Sequence, residues 1–217
     1  MADPGGPTVK SATFIALLLF IAAELLLGAG LYRGFKGETS KQLEFLRIEL
    51  ATGVNSIVDS YRRAVELVYR ESINQPEILA LVAESNQATD TQQRQLRGRL
   101  YRKLYSTYEH LRQNDIRVLQ FVLRDGRSFL RFNRPDLFDD AIASDRPTLA
   151  RVLEEGEYAW AFESGRVYPG FRYVFPMRDD TGVMAVADFS VSFEALRRVL
   201  DEVGGAGGQQ CLQREGQ

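Results

Sequence analysis

Apolar residues along the chain follow three successive patterns. From 12 to 31 the sequence reads ATFIALLLFIAAELLLGAGL, twenty residues carrying one charge, Glu24. At helical rise such a run reaches about 30 Å, the thickness of the hydrocarbon core of a bilayer. It predicts a membrane-spanning helix over 12–32 behind an N-terminal tail over 1–11. Gly28-Ala29-Gly30 would supply the small residues of a signal-peptide cleavage site, but the run is longer than a usual signal core, which favours an uncleaved anchor. Lys10 precedes the span while Arg33, Lys36 and Lys41 follow it, so flanking charge does not favour export of the C-terminal part. Glu24 at mid-span is costly without a partner and marks a candidate helix–helix contact.

The second pattern is helical. Leu43, Leu46, Leu50, Val54, Ile57, Tyr61, Ala64 and Val68 recur at steps of three or four with charges between them. They predict a stalk helix over 36–74, on the order of 50 Å long, entered through a glycine-containing juncture at Gly34 and Gly37. Its length suits dimerisation and the transmission of a displacement along its axis. A helical segment over 75–114 follows. Pro76 opens a short helix over 76–84, where its missing N–H is harmless. Asp90 or Thr91 caps a second helix with Leu96, Leu100, Leu104, Tyr108 and Leu111 on one stripe. The basic residues around that stripe, Arg94, Arg97, Arg99, Arg102 and Lys103, read as a solvated face. His110 caps the helix end or faces water.

From Ile116 the period becomes two. The runs 116–124 and 127–133 flank Asp125-Gly126, a strong hairpin signal. A two-residue loop would pair Gln120 with Arg131 and Val122 with Phe129. Leu119, Phe121, Leu123, Leu130 and Phe132 then share the apolar face, and Phe129 lies opposite them. A helix over 147–155 ends at Gly156. Strands follow over 158–163, 171–177 and 183–191, the last two joined by Asp179-Asp180-Thr181-Gly182. If all four of those residues form the loop, Tyr173 lies opposite Asp188; a slip of one residue flips both. The fold class is therefore α+β: a transmembrane helix, a long stalk helix, then a five-stranded antiparallel sheet flanked by helices over 115–203. The glycine-rich tail over 204–217 is expected to be disordered.

Composition narrows the chemistry. Lys and Arg total 27 against 29 Asp and Glu, so the chain lacks the basic surplus of a nucleic-acid binder. One cysteine, Cys211, and one histidine, His110, leave no disulfide framework, no two-histidine metal motif and no cofactor signature. Asp139-Asp140 and Asp179-Asp180 read as turn formers rather than metal ligands. What stands out is arginine and aromatic density between 127 and 173: Arg127, Arg131, Arg134, Arg146, Arg166 and Arg172 with Phe132, Tyr158, Trp160, Tyr168 and Tyr173. Guanidinium forks beside aromatic walls suit a small anionic or zwitterionic ligand.

Two segments carry a resemblance. RDGRSFLRFNRPDLFDDAIASDRPTLARV and FESGRVYPGFRYVFPMRDDTGVMAVADFSVSF resemble the extracytoplasmic Cache (PAS-like) sensor domains of bacterial histidine kinases, chemoreceptors and diguanylate cyclases. The match runs over about 105–200. It implies a PAS-like sheet that senses a ligand on one face and passes the signal through the terminal helices. On the family's motif positions fall Arg131, Arg146, Glu163, Arg172, Tyr173 and Asp188, with Arg131 and Arg146 as anion anchors and Tyr173 and Asp188 selecting an amine or hydroxyl. Two departures bear on ligand identity: Val122 and Asn133 stand where members often have histidines, and Asp188 stands where many have Glu.

The leading expectation is thus a single-pass sensory input domain in the bacterial inner membrane, its C-terminal domain extracytoplasmic. It would bind a small molecule and dimerise through the stalk, with no catalytic residues, no metal and no nucleic-acid partner. Its output module would be missing from this chain or supplied by a partner. The runner-up is a structural protein that dimerises through its long helix and binds nothing. A membrane-anchored hydrolase is third, since the only histidine lies outside the candidate pocket.

Overall fold

The computed structural model describes residues 9–164, 169–199 and 201. Arg166, Tyr168, Cys211 and the whole 204–217 tail lie outside the described residues. The chain divides into two compact units, Met1–Thr52 and Gly53–Gln217. Helix α1 (Val9–Val68) is continuous in backbone and includes Gly34 and Gly37, so the expected juncture is helical. A helical glycine costs about 1 kcal/mol against alanine, too little to interrupt so long a helix. In the first unit the window Ala16–Arg33 has a mean hydropathy of 1.7 and none of it is buried. Leu43, Leu46 and Leu50 are exposed as well.

In the second unit the buried stripe of α1 is turned from the expected one. Val58 and Val65 are buried, and Val54, Tyr61 and Val68 pack beside them. The sheet below selects this stripe, leaving Ile57 and Ala64 at its margin. The helix ends in a π-helical turn, Tyr69–Ile73, where Asn74 N–H donates to Tyr69 O at 2.7 Å. Helix α2 (Pro76–Ser85) begins with its proline at the first turn. Helix α3 (Asp90–Gln113) is capped by Thr89, not by Asp90 or Thr91. Gln92 Oε1 accepts from Thr89 N–H at 2.9 Å while the Thr89 side chain accepts from the Gln92 backbone N–H, the reciprocal arrangement of a capping box. Leu96, Leu100, Leu104, Tyr108 and Leu111 form its buried stripe. Arg97, expected in solvent, is buried instead and donates to Phe129 O at 2.6 Å. His110 is exposed, its Nδ1 2.8 Å from Ser106 O.

Five strands form one antiparallel sheet: β1 (Ile116–Leu123), β2 (Ser128–Arg131), β3 (Ala159–Ser164), β4 (Pro169–Asp179) and β5 (Gly182–Ser192), in the order β2-β1-β5-β4-β3. Helices α1–α3 cover one face, whose core includes Leu119, Phe121, Phe132, Phe175 and Phe189. Helix α4 (Pro147–Glu155), ended by Gly156 at φ 76°, covers part of the other through Leu149 and Val152, with Val122, Val174 and Val186 beneath.

Both hairpins depart from the expected register, for related reasons. In the first, Leu123 N–H donates to Arg127 O at 3.0 Å and Gly126, at φ 80°, donates to Leu123 O at 2.9 Å. The loop therefore holds three residues, a turn closed by a left-handed glycine. A bulge then restores Gln120↔Arg131 while Val122 pairs with Ser128. The extra residue, Phe129, joins the helix-side core and is 1% exposed. In the second hairpin Asp179 pairs with Gly182, leaving a two-residue loop, and a bulge between Met177 and Arg178 shifts the rest. Tyr173 consequently pairs with Phe189, and Asp188 pairs with Val174.

Candidate functional site

Directly paired residues of an antiparallel sheet project to the same face. One row on the α4 side therefore runs Arg131, Gln120, Asp188, Val174 across β2, β1, β5 and β4. The next row carries Ser190 and Arg172, and a third Ser192, Gly170 and Glu163. This half of the outer face is polar, whereas the half under α4 is apolar. Gly170 is required by crowding: a Cβ there would be driven into the carbonyl oxygen of Val191.

Asp188 is the centre of the polar half and is fully buried. Its Oδ2 accepts from Arg172 Nη1 at 2.8 Å and from the amide of Gln120. Arg172 Nε lies 3.5 Å from Glu163 Oε2, and Arg146 Nη1 lies 4.0 Å from the same oxygen. The other oxygen of Glu163 accepts from Thr148 N–H at 2.9 Å, which satisfies a free donor in the first turn of α4. Arg146 is held at the site because it is the residue before Pro147 and the N-cap of α4. Arg131 donates to Asp140 at 2.8 Å, to Leu137 O at 3.2 Å and to Gln120 Oε1 at 3.4 Å. Gln120 thus links Arg131 to Asp188.

Burial pushes the Asp188 carboxyl above the ordinary aspartate range, opposed by Arg172, the Gln120 hydrogen bond and Arg146, and reinforced by Glu163. Burial, then the neighbouring Arg172, lowers the affinity of Arg146 for its proton. Several polar atoms of this face are buried with no hydrogen-bond partner among the described residues: Asp188 Oδ1, Glu163 Oε2, Arg146 Nη1, Arg172 Nε and Ser190 Oγ. Asp188 Oδ1 and Ser190 Oγ, which have no ion-pair contact either, each cost about 1–3 kcal/mol until something pairs with them. Donors and acceptors converge here, the requirement for holding a small polar molecule.

Of the residues expected from sequence, the structure brings together Arg131, Arg146, Glu163, Arg172 and Asp188. Tyr173 is not among them. The β4 bulge turns it to the helix side, where it is fully buried and its hydroxyl donates to Val58 O at 2.9 Å. Gln120, Ser190 and Gly170 were not expected at the site. Gln120 had a legible signal, as the one uncharged polar residue in the strand IRVLQFVL.

The model of the double sensory domain of two-component sensor kinases matches residues 41–206. No curated protein matches this chain. Among solved structures, the sensor domain of the V. cholerae histidine kinase DctB aligns with a TM-score of 0.56 and 15% identity, covering 77% of this chain and 60% of that one. The E. coli DcuS sensor domain aligns with a TM-score of 0.47 and 13% identity over 66% of this chain and 97% of its own. The sensory domain of the Campylobacter jejuni chemoreceptor Tlp3, solved with isoleucine bound, gives 0.48 and 14%, over 69% and 57%. At these identities the likeness is one of fold, and the present chain spans 60% of the DctB domain. The family match covers well over half of the sequence and agrees with the Cache resemblance of its motifs: the chain belongs to the family of double sensory domains of two-component sensor kinases.

Proposed function

We propose that the chain is a membrane-anchored sensory input domain that binds a small zwitterion, of the amino-acid type, on the polar half of its outer sheet face. The observation that carries this reading is the set of buried polar atoms that make no hydrogen bond: Arg146 Nη1 and Arg172 Nε as donors, 4.0 and 3.5 Å from Glu163 Oε2, and Asp188 Oδ1 and that Glu163 oxygen as acceptors. A ligand carboxylate takes the donors and a ligand ammonium the acceptors. Arg131, Arg146 and Arg172 balance Asp140, Glu163 and Asp188 in formal charge, which suits a ligand without net charge. Arg131 adds its charge at the lip of the site and holds Gln120 in place. That the Tlp3 sensory domain was solved with isoleucine bound is in keeping with this ligand class.

The apolar window Ala16–Arg33 supports a single inner-membrane span, and the sensory-domain family supports placing the sheet domain outside the cytoplasm. The exposed leucines Leu43, Leu46 and Leu50 support pairing of two copies through α1. Binding alters the signalling state only if the ligand has different affinities for two arrangements of the domain. Output is then carried by a kinase, cyclase or chemoreceptor module outside these residues.

The test is a thermal-shift screen of the full chain in detergent against amino acids, small carboxylates and amines. Ligand at 100 times its dissociation constant stabilises the fold by about 2.7 kcal/mol. An amino-acid hit that disappears in Arg146→Gln supports the reading; silence across the panel from folded protein refutes it.

A further inference from the structure

A cavity lies on the side of the sheet opposite the polar face, between the end of α1 and the turn from α4 into β3. Its volume is about 530 Å³, within the range of small-molecule sites. Its aromatic wall is built from three rings: Tyr69 stacks on Phe175 at 4.5 Å and Tyr158 lies 4.6 Å from the same ring. Arg62, Arg70 and Arg178 line it against Glu66 and Glu157, so cationic groups outnumber anionic ones.

The partners of these charges differ. Arg62 pairs with Asp59 at 3.1 Å. Arg178 donates to Gly156 O at 2.6 Å and lies 3.6 Å from Glu157. Arg70 and Glu66 have no side-chain hydrogen bond or ion pair among the described residues. The Tyr158 hydroxyl is likewise buried without a partner. Burial pushes this phenol up to about 12, so it stays protonated and able to donate at neutral pH.

The backbone is irregular on each wall of this cavity. Arg70 sits in the π-helical turn, an element rare in helices and frequent at functional sites. Arg178 follows the β4 bulge. Gly156 adopts φ 76°, and Arg178 Nη2 lies 2.6 Å from where a Gly156 Cβ would stand. Bulges of this kind re-aim side chains next to sites.

We propose that this cavity is a second binding site, for a small aromatic carboxylate. The ring of the ligand packs on the Tyr69–Phe175–Tyr158 wall, and its carboxylate takes Arg70 and the free nitrogens of Arg178. A hydroxyl on the far side of the ring would donate to Glu66. Such a ligand ties the end of α1 to the sheet edge, on the face opposite the Asp188 cluster. The proposal does not depend on the zwitterion site.

The experiment is calorimetric titration of the full chain in detergent with benzoate and 4-hydroxybenzoate, and with cyclohexanecarboxylate as the non-aromatic control. The expected result is saturable binding at one site per chain, tighter for the aromatic acids. Arg70→Gln and Arg178→Gln should each weaken it about tenfold or more, while Arg146→Gln on the other face leaves it unchanged. Arg70 is exposed, so its variant keeps the fold, which circular dichroism verifies. Absence of saturable binding up to about 10 mM overturns the proposal. So does an affinity unchanged in both cavity variants, or one lost in Arg146→Gln.

Discussion

Removing the carboxylate of Asp188 is the sharpest perturbation of the polar face. In Asp188→Ala, Arg172 Nη1 and the Gln120 amide lose their acceptor in a place where Asp188 is 0% and the Arg172 side chain 6% exposed. Breaking a buried pair from one side costs about 3–5 kcal/mol, most of it the stranded charge. Glu163, 3.5 Å from Arg172 Nε, remains to offset part of that charge, which puts the cost at the lower end, about 3 kcal/mol. The assay is urea unfolding of the full chain in micelles, followed through the fluorescence of Trp160, the only tryptophan. With a slope of about 2 kcal/mol/M the midpoint should fall by about 1.5 M at unchanged slope. The double variant Asp188→Leu/Arg172→Met removes both charges together and should recover to within about 1 kcal/mol of the parent. A loss below about 1 kcal/mol in the single variant, or a double variant as unstable as the single, would refute the reasoning.

Further predictions follow from the same geometry. The phenols of Tyr69 and Tyr158 are each raised by burial from 10.0 to about 12. A raised folded-state value means their contribution is fully present below pH 10 and is lost between pH 10 and 12, so alkaline titration by ultraviolet absorbance should show late tyrosine ionisation coincident with unfolding. Titration of all tyrosines near 10 in a still-folded protein would contradict this. Gly170→Ala should cost about 1–3 kcal/mol in chemical denaturation because its Cβ meets backbone. Gly98→Ala, within α3 and with only Arg102 Nη1 at 3.6 Å, should instead raise the melting temperature by about 2–4 °C.

Element identity was legible wherever one local signal decides it. Pro76 and Pro147 open their helices, Gly156 ends one, and Asp125-Gly126 and the 179–182 run mark the two hairpins. Register was not legible, because each hairpin carries a bulge whose position depends on long-range packing. Phe129 crosses to the helix side because Arg97 and the α3 core receive it there. Tyr173 crosses because the bulge between Met177 and Arg178 shifts the β4–β5 register by one residue. The same shift leaves Arg172 and Asp188 on one face, close enough to pair. The α1 stripe keeps Val54, Tyr61 and Val68 but has Val58 and Val65 in place of Ile57 and Ala64, because periodicity alone does not say which neighbour a helix will meet. The unpartnered atoms of the site could not be read from residue types at all, since satisfaction is a property of the assembled face.

The central claim is that this face recognises opposite charges on one small molecule. The direct measurement is titration calorimetry of the full chain with three matched compounds: the amino acid found by the thermal screen, the same acid without its amine, and the same amine without its carboxylate. A site that leaves buried polar groups unpaired rejects the lacking analogue by about 10⁴-fold, so the account predicts measurable binding of the amino acid alone. Equal affinity for the deaminated acid would show that Asp188 and Glu163 hold no ammonium group, and would contradict the account.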